Sequence, residues 1–426
     1  MTDARFITRR TFLGGLGAGA TAATVGPWFP RRAHAAGVIK IGHINTFSGV
    51  AAGIGQSGRW GLQVALRRIE KEGGINGMKV EVVEADSAFD SSKAAIEAEK
   101  MILKHNVDFI TGISGSHECV KIAPMMAQYK TLFVLGTGCE TPALTVDPNC
   151  NRYVVRPYNS TQSQAIAMAQ WAAKHVGKKW FGVYSDFAWG QSVFQTFKVE
   201  IEKAGGSTIG SVAPPLRTND FQPYLTRLDT KADGLVMALV GGDAVRILKQ
   251  MASMGITGKM KIIGPASLVD ITTLPAQKES AVGTYTLHRY PSLSKLEGTP
   301  FNDEYNRRFF QEFKAVSDGT LPSGYSQAQH TGMNLIKRAI KATGWKSKDD
   351  HRKIIEWIEN GGKGRVFERS DDFPQGEFFL RAEDHQGFTD HYMVTVNNRI
   401  EYELVGDRVA WKDTLYPSGC TMLKKA

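Results

Sequence analysis

Cysteine is scarce in this sequence, with four residues in a chain of 426. A small disulfide-framework protein is therefore excluded, because such proteins are short and dense in cysteine. The chain also lacks CxxC, HExxH and any cluster at metal-ligand spacing, so we predict no metal site and no cofactor. Four cysteines fit an oxidising compartment and can pair in three ways. We favour a disulfide between Cys139 and Cys150, which bracket a short loop, over pairings with Cys119 or Cys420.

Long hydrophobic runs are absent after the first 35 residues. A transmembrane helix needs about 20 consecutive apolar residues, so we predict none in the mature chain. At the start, Arg9 and Arg10 precede an apolar run from Phe12 to Val25, and Ala33-His34-Ala35 offers a cleavage site. The paired arginines resemble a Tat export signal. We predict a signal peptide over residues 1–35 and a periplasmic location, with a membrane anchor as the alternative.

The excess of positive charge is small and dispersed. The chain has 52 lysines and arginines against 42 acidic residues, and five of the basic residues lie in the predicted signal. No RNP, zinc-finger or helix-turn-helix pattern occurs, so nucleic acid is not an expected partner. A chain of 426 residues exceeds one compact core, which indicates two domains.

Strands and helices alternate through most of the chain. VIKIGHIN, KVEVVEAD, VDFITG and TLFVLG are apolar strands, each followed by a polar loop, and helical stretches lie between them. Such alternation is typical of a parallel sheet covered on both faces. It restarts after Pro157 and includes a predicted helix over residues 219–231. We therefore predict an α/β protein of two similar doubly wound lobes, each with its own sheet.

Two polar loops in residues 109–145 follow neighbouring predicted strands. Parallel strands joined by a crossover helix point the same way, so both loops reach one edge of the sheet. Open α/β sheets bind ligands at that edge, and we expect a ligand site there. A helix N-terminus in the first loop would suit an anion, although a serine there could simply cap the helix. The two loops supply Ser116, His117, Gly138, Cys139 and Glu140.

Other strand ends add further candidates for the same site. Aspartates at such positions could instead cap helices, and a tryptophan there could pack within its lobe. These additional candidates are Ser48, Asp186, Trp189 and Asp243.

A hydrolase is the main enzymatic alternative. Cys139 with His117, or Ser116 with His117, nominally offers a nucleophile and a base. Adjacent residues rarely face each other, no GxSxG motif occurs, and Cys139 has a predicted disulfide partner. We therefore predict a protein that is not an enzyme.

Several segments, in order and spacing, resemble the leucine/isoleucine/valine-binding protein family of periplasmic receptors for ABC transporters. The resemblance covers nearly the whole mature chain and is carried by IKIGHINTFSG, GIGQSGRWG, GGINGMKVEVVEAD, ILKHNVDFITGISGS, TPALT, YSDFAWGQ and ILKQMASMGITGKMKIIGP. It implies a type I periplasmic binding fold, with two doubly wound lobes joined by a three-segment hinge.

The resemblance also implies the limits of the lobes. The hinge crossings would fall near Pro157, near Leu287 and within residues 377–391. The N-terminal lobe would comprise residues 36–157 and 287–380, and the C-terminal lobe residues 158–286 and 381–426.

Site residues carry over position by position from the family. Ser116 matches a serine that holds a ligand carboxylate, and Trp189 matches an aromatic residue of the second lobe. Gly138 and Glu140 match positions that hold an α-ammonium group, although Glu140 replaces a threonine or serine. The family's second-lobe acid, after Gly264-Pro265, is replaced by Ala266. The resemblance thus implies Ala266 as a ligand-binding position, and Tyr290 would suit a planar carboxylate.

The implied function is capture of a small organic ligand between the lobes and its delivery to an ABC-transporter permease by a monomeric receptor. The ligand would be a hydrophobic amino acid or an aromatic or aliphatic carboxylate. A periplasmic subunit that senses the same ligand for a signalling receptor is the alternative.

Overall fold

The computed structural model describes residues 37–424. The predicted signal peptide, residues 1–35, lies outside the described residues. The strands are β1 Val38–Asn45, β2 Lys79–Asp86, β3 Phe109–Gly112, β4 Leu132–Leu135, β5 Val154–Val155, β6 Lys179–Tyr184, β7 Ser207–Val212, β8 Gly234–Ala238, β9 Lys261–Pro265, β10 Tyr285–His288, β11 Arg365–Phe367, β12 Phe378–Leu380, β13 Gly387–Thr389, β14 Tyr392–Val396 and β15 Tyr402–Leu404.

The helices occupy the connections between these strands. They are α1 Ala52–Lys71, α2 Ser91–Leu103, α3 Ser116–Gln128, α4 Thr161–His175, α5 Ala188–Lys203, α6 Gln222–Leu225, α7 Gly241–Ser253, α8 Leu274–Gln277, α9 Glu304–Lys314, α10 Gly324–Thr343 and α11 His351–Glu359. No helix within residues 37–424 combines the length and apolarity needed to cross a membrane.

Two sheets with the same internal strand order confirm the predicted fold class. The first runs β2-β1-β3-β4-β5, with every pair parallel. The second contains β7-β6-β8-β9-β10, which repeats that order, and then adds β14 and β15 as antiparallel strands. Each sheet is therefore doubly wound and forms the centre of one α/β lobe.

The last third of the chain returns to the first sheet. Met333 and Ile336 of α10 and Ile354 of α11 share a buried core with Ile39 and Phe109 of the sheet. A third, smaller sheet of antiparallel strands β11, β12 and β13 follows these helices. The chain consequently passes between the two main sheets more than once, and elements distant in sequence meet where it does so.

One of these passages is built from two adjacent segments. Arg156 Nε donates to Gln386 Oε1 at 2.6 Å, and the backbone N–H of Gly387 donates to the Arg156 carbonyl at 2.6 Å. Three residues later, Asn159 Nδ2 donates to the Thr389 carbonyl at 3.0 Å. The segments that leave the first sheet and enter the second are thus hydrogen-bonded side by side.

The predicted helix over residues 219–231 is wrong except for the single turn of α6. Carboxylates of Asp220 and Asp229 accept the backbone N–H groups of Gln222 and Lys231, each two residues further on. These local bonds compete with helical hydrogen bonds, so the flanking residues form turns.

The favoured disulfide between Cys139 and Cys150 is also wrong. Cys139 pairs with Cys119, at a Cα–Cα distance of 6.2 Å, and Cys150 pairs with Cys420 at 6.0 Å. Cys119 lies in the first turns of α3, beside the loop that follows β4. The backbone near Gly419 pairs with Val146, which brings the C-terminal segment to Cys150. Tertiary contacts therefore decide the pairing.

Candidate functional site

A narrow cavity lies between the lobes. It is bounded by the loops after β3 and β4 on one side and by those after β6, β8 and β9 on the other. This is the carboxyl edge of both sheets, where α/β folds place their ligands. Its lining comprises Ile54, Phe89, Ser114, Gly115, Ser116, Gly138, Glu140, Phe187, Trp189, Val240, Ser267 and Tyr325.

A second narrow cavity adjoins the first. Glu140 and Tyr325 line both cavities and so separate them. The remaining lining of the second cavity is Gln164, Ala266, Leu287, His288, Arg289 and Gly324.

Ser116 is the first residue of α3, and Gly115 occupies the N-cap position. The serine hydroxyl therefore does not cap its own helix. Its Oγ accepts the backbone N–H of Glu140 at 3.3 Å and that of Thr141 at 3.2 Å. With both acceptor positions engaged, the hydroxyl proton is the group left to donate to a ligand.

The loop after β4 approaches the α3 loop closely. A Cβ atom at Gly138 would lie 2.6 Å from the Ser114 carbonyl oxygen, so any side chain there would push the two loops apart. Ser114 also donates to Asn45 Oδ1 at 2.6 Å, which ties both loops to the end of β1. This wall of the cavity is therefore rigidly held.

Glu140 is buried and uses both carboxylate oxygens. Oε1 accepts from Arg289 Nη1 at 2.6 Å, and Oε2 accepts from Trp189 Nε1 at 3.2 Å. Trp189 lies in α5, on the lobe of the second sheet. The carboxylate thus forms an ion pair beside the cavity and a hydrogen bond across it.

Arg289, which directly follows β10, is held on several sides. Nε donates to the Gly324 carbonyl at 3.0 Å and Nη2 to the Thr137 carbonyl at 2.8 Å. The guanidinium carbon lies 4.6 Å from the ring centroid of Tyr158 and 5.5 Å from that of Tyr325. These contacts fix the cation in place, and only 7% of its surface is exposed.

Aromatic side chains form most of the remaining lining. Phe187 lies between Phe89 and Trp189, with ring centroids 5.9 Å from each. Tyr325, at the start of α10, closes the side towards the second cavity. Four aromatic side chains, one of them phenolic, therefore surround a small space beside the Ser116 hydroxyl.

The structure brings together about half of the residues proposed from sequence. Ser116, Gly138, Glu140 and Trp189 line the first cavity, and Ala266 lines the second. Ser48, His117, Cys139, Asp186, Asp243 and Tyr290 lie outside both linings.

Three of the outlying residues serve local structure at strand ends. Ser48 donates to Asp86 Oδ2 at 2.6 Å, and Asp186 accepts from Gln191 at 2.8 Å. Asp243 accepts the backbone N–H of Arg217 at 2.8 Å and pairs with a nearby arginine of α7. Their polar groups are thus occupied by neighbours within a few residues or on the adjacent loop.

The other three are engaged in other contacts and line neither cavity. His117 packs against Phe89, whose carbonyl its Nε2 contacts at 3.2 Å, and burial lowers the pKa of this imidazole. Cys139 is in a disulfide, and residues 37–424 contain no free thiol. Tyr290 lies in the core, where its hydroxyl donates to Asn306 Oδ1 at 2.6 Å. The pairings considered for a hydrolase therefore do not form around either cavity.

Sequence reasoning did not single out four lining residues that matter here. Arg289 directly follows β10, so the rule that singled out Ser116, a polar residue at a strand end, also applies to it. Tyr325 follows the serine that caps α10, at a position with no obvious link to residues 109–145. The other two residues are Phe89 and Phe187.

The family follows from the fold, the cleft and the sequence together. The profile of the family described as periplasmic binding protein matches residues 38–400, so the chain belongs to this family, as a type I receptor of the leucine/isoleucine/valine-binding group. Leu/Ile/Val-binding protein homolog 6 of Brucella melitensis is 28% identical over 331 residues, which cover 76% of this chain and 80% of that protein.

Solved structures show the same fold. An ABC transporter substrate-binding protein from Sphaerobacter thermophilus has a TM-score of 0.76 at 25% identity, covering 89% of this chain and 99% of its own. An ABC-transporter solute-binding protein from Rhodopseudomonas palustris BisB5, in complex with 3,4-dihydroxybenzoic acid, has a TM-score of 0.74 at 24% identity. That match covers 91% of this chain and 99% of the other.

Proposed function

We propose that this receptor captures a small carboxylate solute in the interlobe cavity, outside the cytoplasm, and delivers it to an ABC-transporter permease. The observation that carries the proposal is the Ser116 hydroxyl, placed at the N-terminus of α3 and at the edge of an aromatic cavity.

The electrostatics of α3 support the proposal that the ligand carries a carboxylate. The N-terminus of a helix presents backbone N–H groups and a partial positive charge, which favour an anion. The Ser116 hydroxyl proton adds a donor at the same point, since its oxygen already accepts two backbone N–H groups. A carboxylate matches both features.

The aromatic lining of the cavity supports the proposal that the rest of the ligand is a small apolar group. Phe89, Phe187, Trp189 and Tyr325 offer flat apolar surface on which a single ring or a branched alkyl group can pack. The names of the relatives, one a Leu/Ile/Val-binding protein homolog and one solved with 3,4-dihydroxybenzoic acid, agree with this class.

Delivery would depend on closure of the lobes. Trp189 on the second lobe donates to Glu140 on the first, and separation of the lobes would break this contact. A ligand that contacts both walls stabilises the closed population, and the permease would recognise that form.

Calorimetry and thermal shift of the mature protein test this proposal. The panel is benzoate, 4-hydroxybenzoate, 3-phenylpropionate and leucine. A ligand at 100-fold its Kd should add about 2.7 kcal/mol of stability. Ser116→Ala should weaken the best binder by about 10- to 100-fold, because a hydrogen bond to a charged group contributes about 1.5–3 kcal/mol.

Ser48→Ala is the matched control, because Ser48 also follows a strand of the first sheet but lies outside the cavity. Its affinity should equal that of the wild type. Equal affinities for Ser116→Ala and the wild type, or no binding by any carboxylate, would overturn the proposal.

A further inference from the structure

We infer that Arg289 makes this site select carboxylates that carry no ammonium group, so the ligand is an organic acid and not an amino acid. The inference rests on the proposed function and narrows its ligand class.

Glu140 is the only acidic side chain among the described residues that line either cavity. It is therefore the one negative charge available to an α-ammonium group there. Both of its oxygens are already engaged, one by Arg289 and the other by Trp189. An ammonium group would have to displace a charged partner before it could bind.

That displacement is opposed by the way Arg289 is held. Besides Glu140, it donates to the carbonyls of Gly324 and Thr137, and it lies over the rings of Tyr158 and Tyr325. Breaking one partner from a buried ion pair leaves an uncompensated charge, which is strongly unfavourable. Arg289 and Glu140 are both less than one-tenth exposed, so water cannot readily compensate either charge.

An ammonium group near Glu140 would also meet the guanidinium directly. Arg289 Nη1 lies 2.6 Å from Glu140 Oε1, so a second cation at this carboxylate would be repelled by the first. Repulsion between like charges is strong where water is excluded.

The opposite wall offers no replacement anion. Where the second lobe approaches the two cavities, none of its lining side chains is acidic: they are Gln164, Phe187, Trp189, Val240, Ala266 and Ser267. A carboxylate needs none of these groups, since it can bind at Ser116, which lines the first cavity, whereas Arg289 lines only the second. The charge arrangement therefore accepts the acid end of a ligand and rejects an amine.

Two matched ligand pairs test the inference on the wild-type protein. 3-Phenylpropionate and phenylalanine differ only in the α-ammonium group, as do 4-methylpentanoate and leucine. Of the two acids, the one that binds more tightly should bind at least tenfold more tightly than the matching amino acid, as measured by calorimetry. Equal or tighter binding of the amino acid would overturn the inference while leaving the proposed function intact. Absence of binding by every carboxylate would overturn both.

Arg289→Met assigns the selectivity to this residue. The variant leaves Glu140 without its cationic partner, so the affinity ratio of amino acid to acid should rise at least tenfold. General damage to the site lowers both affinities and leaves their ratio unchanged. The double variant Glu140→Gln with Arg289→Met removes the anion as well and should return the ratio towards that of the wild type.

An unchanged ratio in folded Arg289→Met would contradict the role of Arg289. If that variant does not fold, the comparison of ligand pairs on the wild-type protein decides the inference alone.

Discussion

Glu118 is a carboxyl group inside the wall that carries Ser116. It is fully buried in the first turn of α3, and its Oε2 accepts the backbone N–H of Gly115 at 2.7 Å. Burial raises the pKa of Glu118 to about 7, against 4.5 for an exposed glutamate. Between pH 4.5 and about 7, the folded protein therefore keeps a proton on Glu118 that the unfolded chain has released.

Glu118→Gln should change how stability depends on pH. Between pH 4.5 and about 7 the native state holds more protons at this site than the unfolded state, so the wild type loses stability as pH rises. Glutamine keeps an acceptor for Gly115 and does not titrate. Urea unfolding measures the free energy of unfolding of both proteins. The value for the variant minus that for the wild type should increase by up to about 3 kcal/mol from pH 4.5 to pH 8. A constant difference across that range would contradict the prediction.

Sequence reasoning found some cavity residues because local rules apply to them. Ser116, Glu140 and Trp189 each follow a strand that an apolar run makes recognisable. Arg289 lies 149 positions from Glu140, and no local pattern indicates that the two meet. Only the return of the last third of the chain to the first sheet places the arginine beside the carboxylate.

At the scale of elements, α1 and α10 are in direct backbone contact. A Cβ atom at Gly61 of α1 would lie 1.9 Å from the carbonyl oxygen of Ser326 in α10. The first turns of these helices also carry Ile54 and Tyr325, which line the first cavity. The spacing between the two helices therefore sets part of the cavity's shape.

Gly61→Ala should force the helices apart. Because the clash involves backbone atoms that cannot rotate away, we expect a loss of about 3 kcal/mol or more, at or above the usual range for overpacking. Chemical unfolding measures the loss, and ligand titration should show weaker binding by the folded fraction. Gln63→Ala, on the exposed face of the same helix, is the control and should change neither. Unaltered stability in Gly61→Ala would show that the helices can separate at little cost.

The alternation of strands and helices was enough to predict the two doubly wound lobes. Periodicity reports which face of an element is buried, and that information is local. It could not predict the disulfides, since Cys150 and Cys420 meet through a pairing of segments 270 positions apart. Periodicity also predicted a helix longer than α6, because it does not register that short aspartate side chains near Gln222 favour turns.

At the scale of the whole molecule, the hydrogen bond from Trp189 to Glu140 joins the two lobes. A hydrogen bond to a charged group contributes about 1.5–3 kcal/mol, which is comparable to the free energy that separates open and closed states in such proteins. This contact should therefore lengthen the time that a bound ligand stays enclosed.

Trp189→Phe keeps an aromatic ring at the cavity but removes the N–H donor. The dissociation rate of the best carboxylate, measured by stopped-flow fluorescence, should rise about tenfold or more, with a smaller change in association. Trp171→Phe is the control, because the Trp171 N–H has no hydrogen-bond partner among the described residues. Equal dissociation rates for Trp189→Phe and the wild type would show that the contact does not hold the lobes together.

The disulfide between Cys150 and Cys420 has a consequence for how the receptor withstands proteases outside the cytoplasm. The disulfide closes a covalent ring over a separation of 270 residues, and every passage between the two main sheets lies within this ring. A protease that cuts one exposed loop of the ring releases no fragment, since both new ends stay joined through the disulfide. A single nick in such a loop therefore does not separate the two lobes.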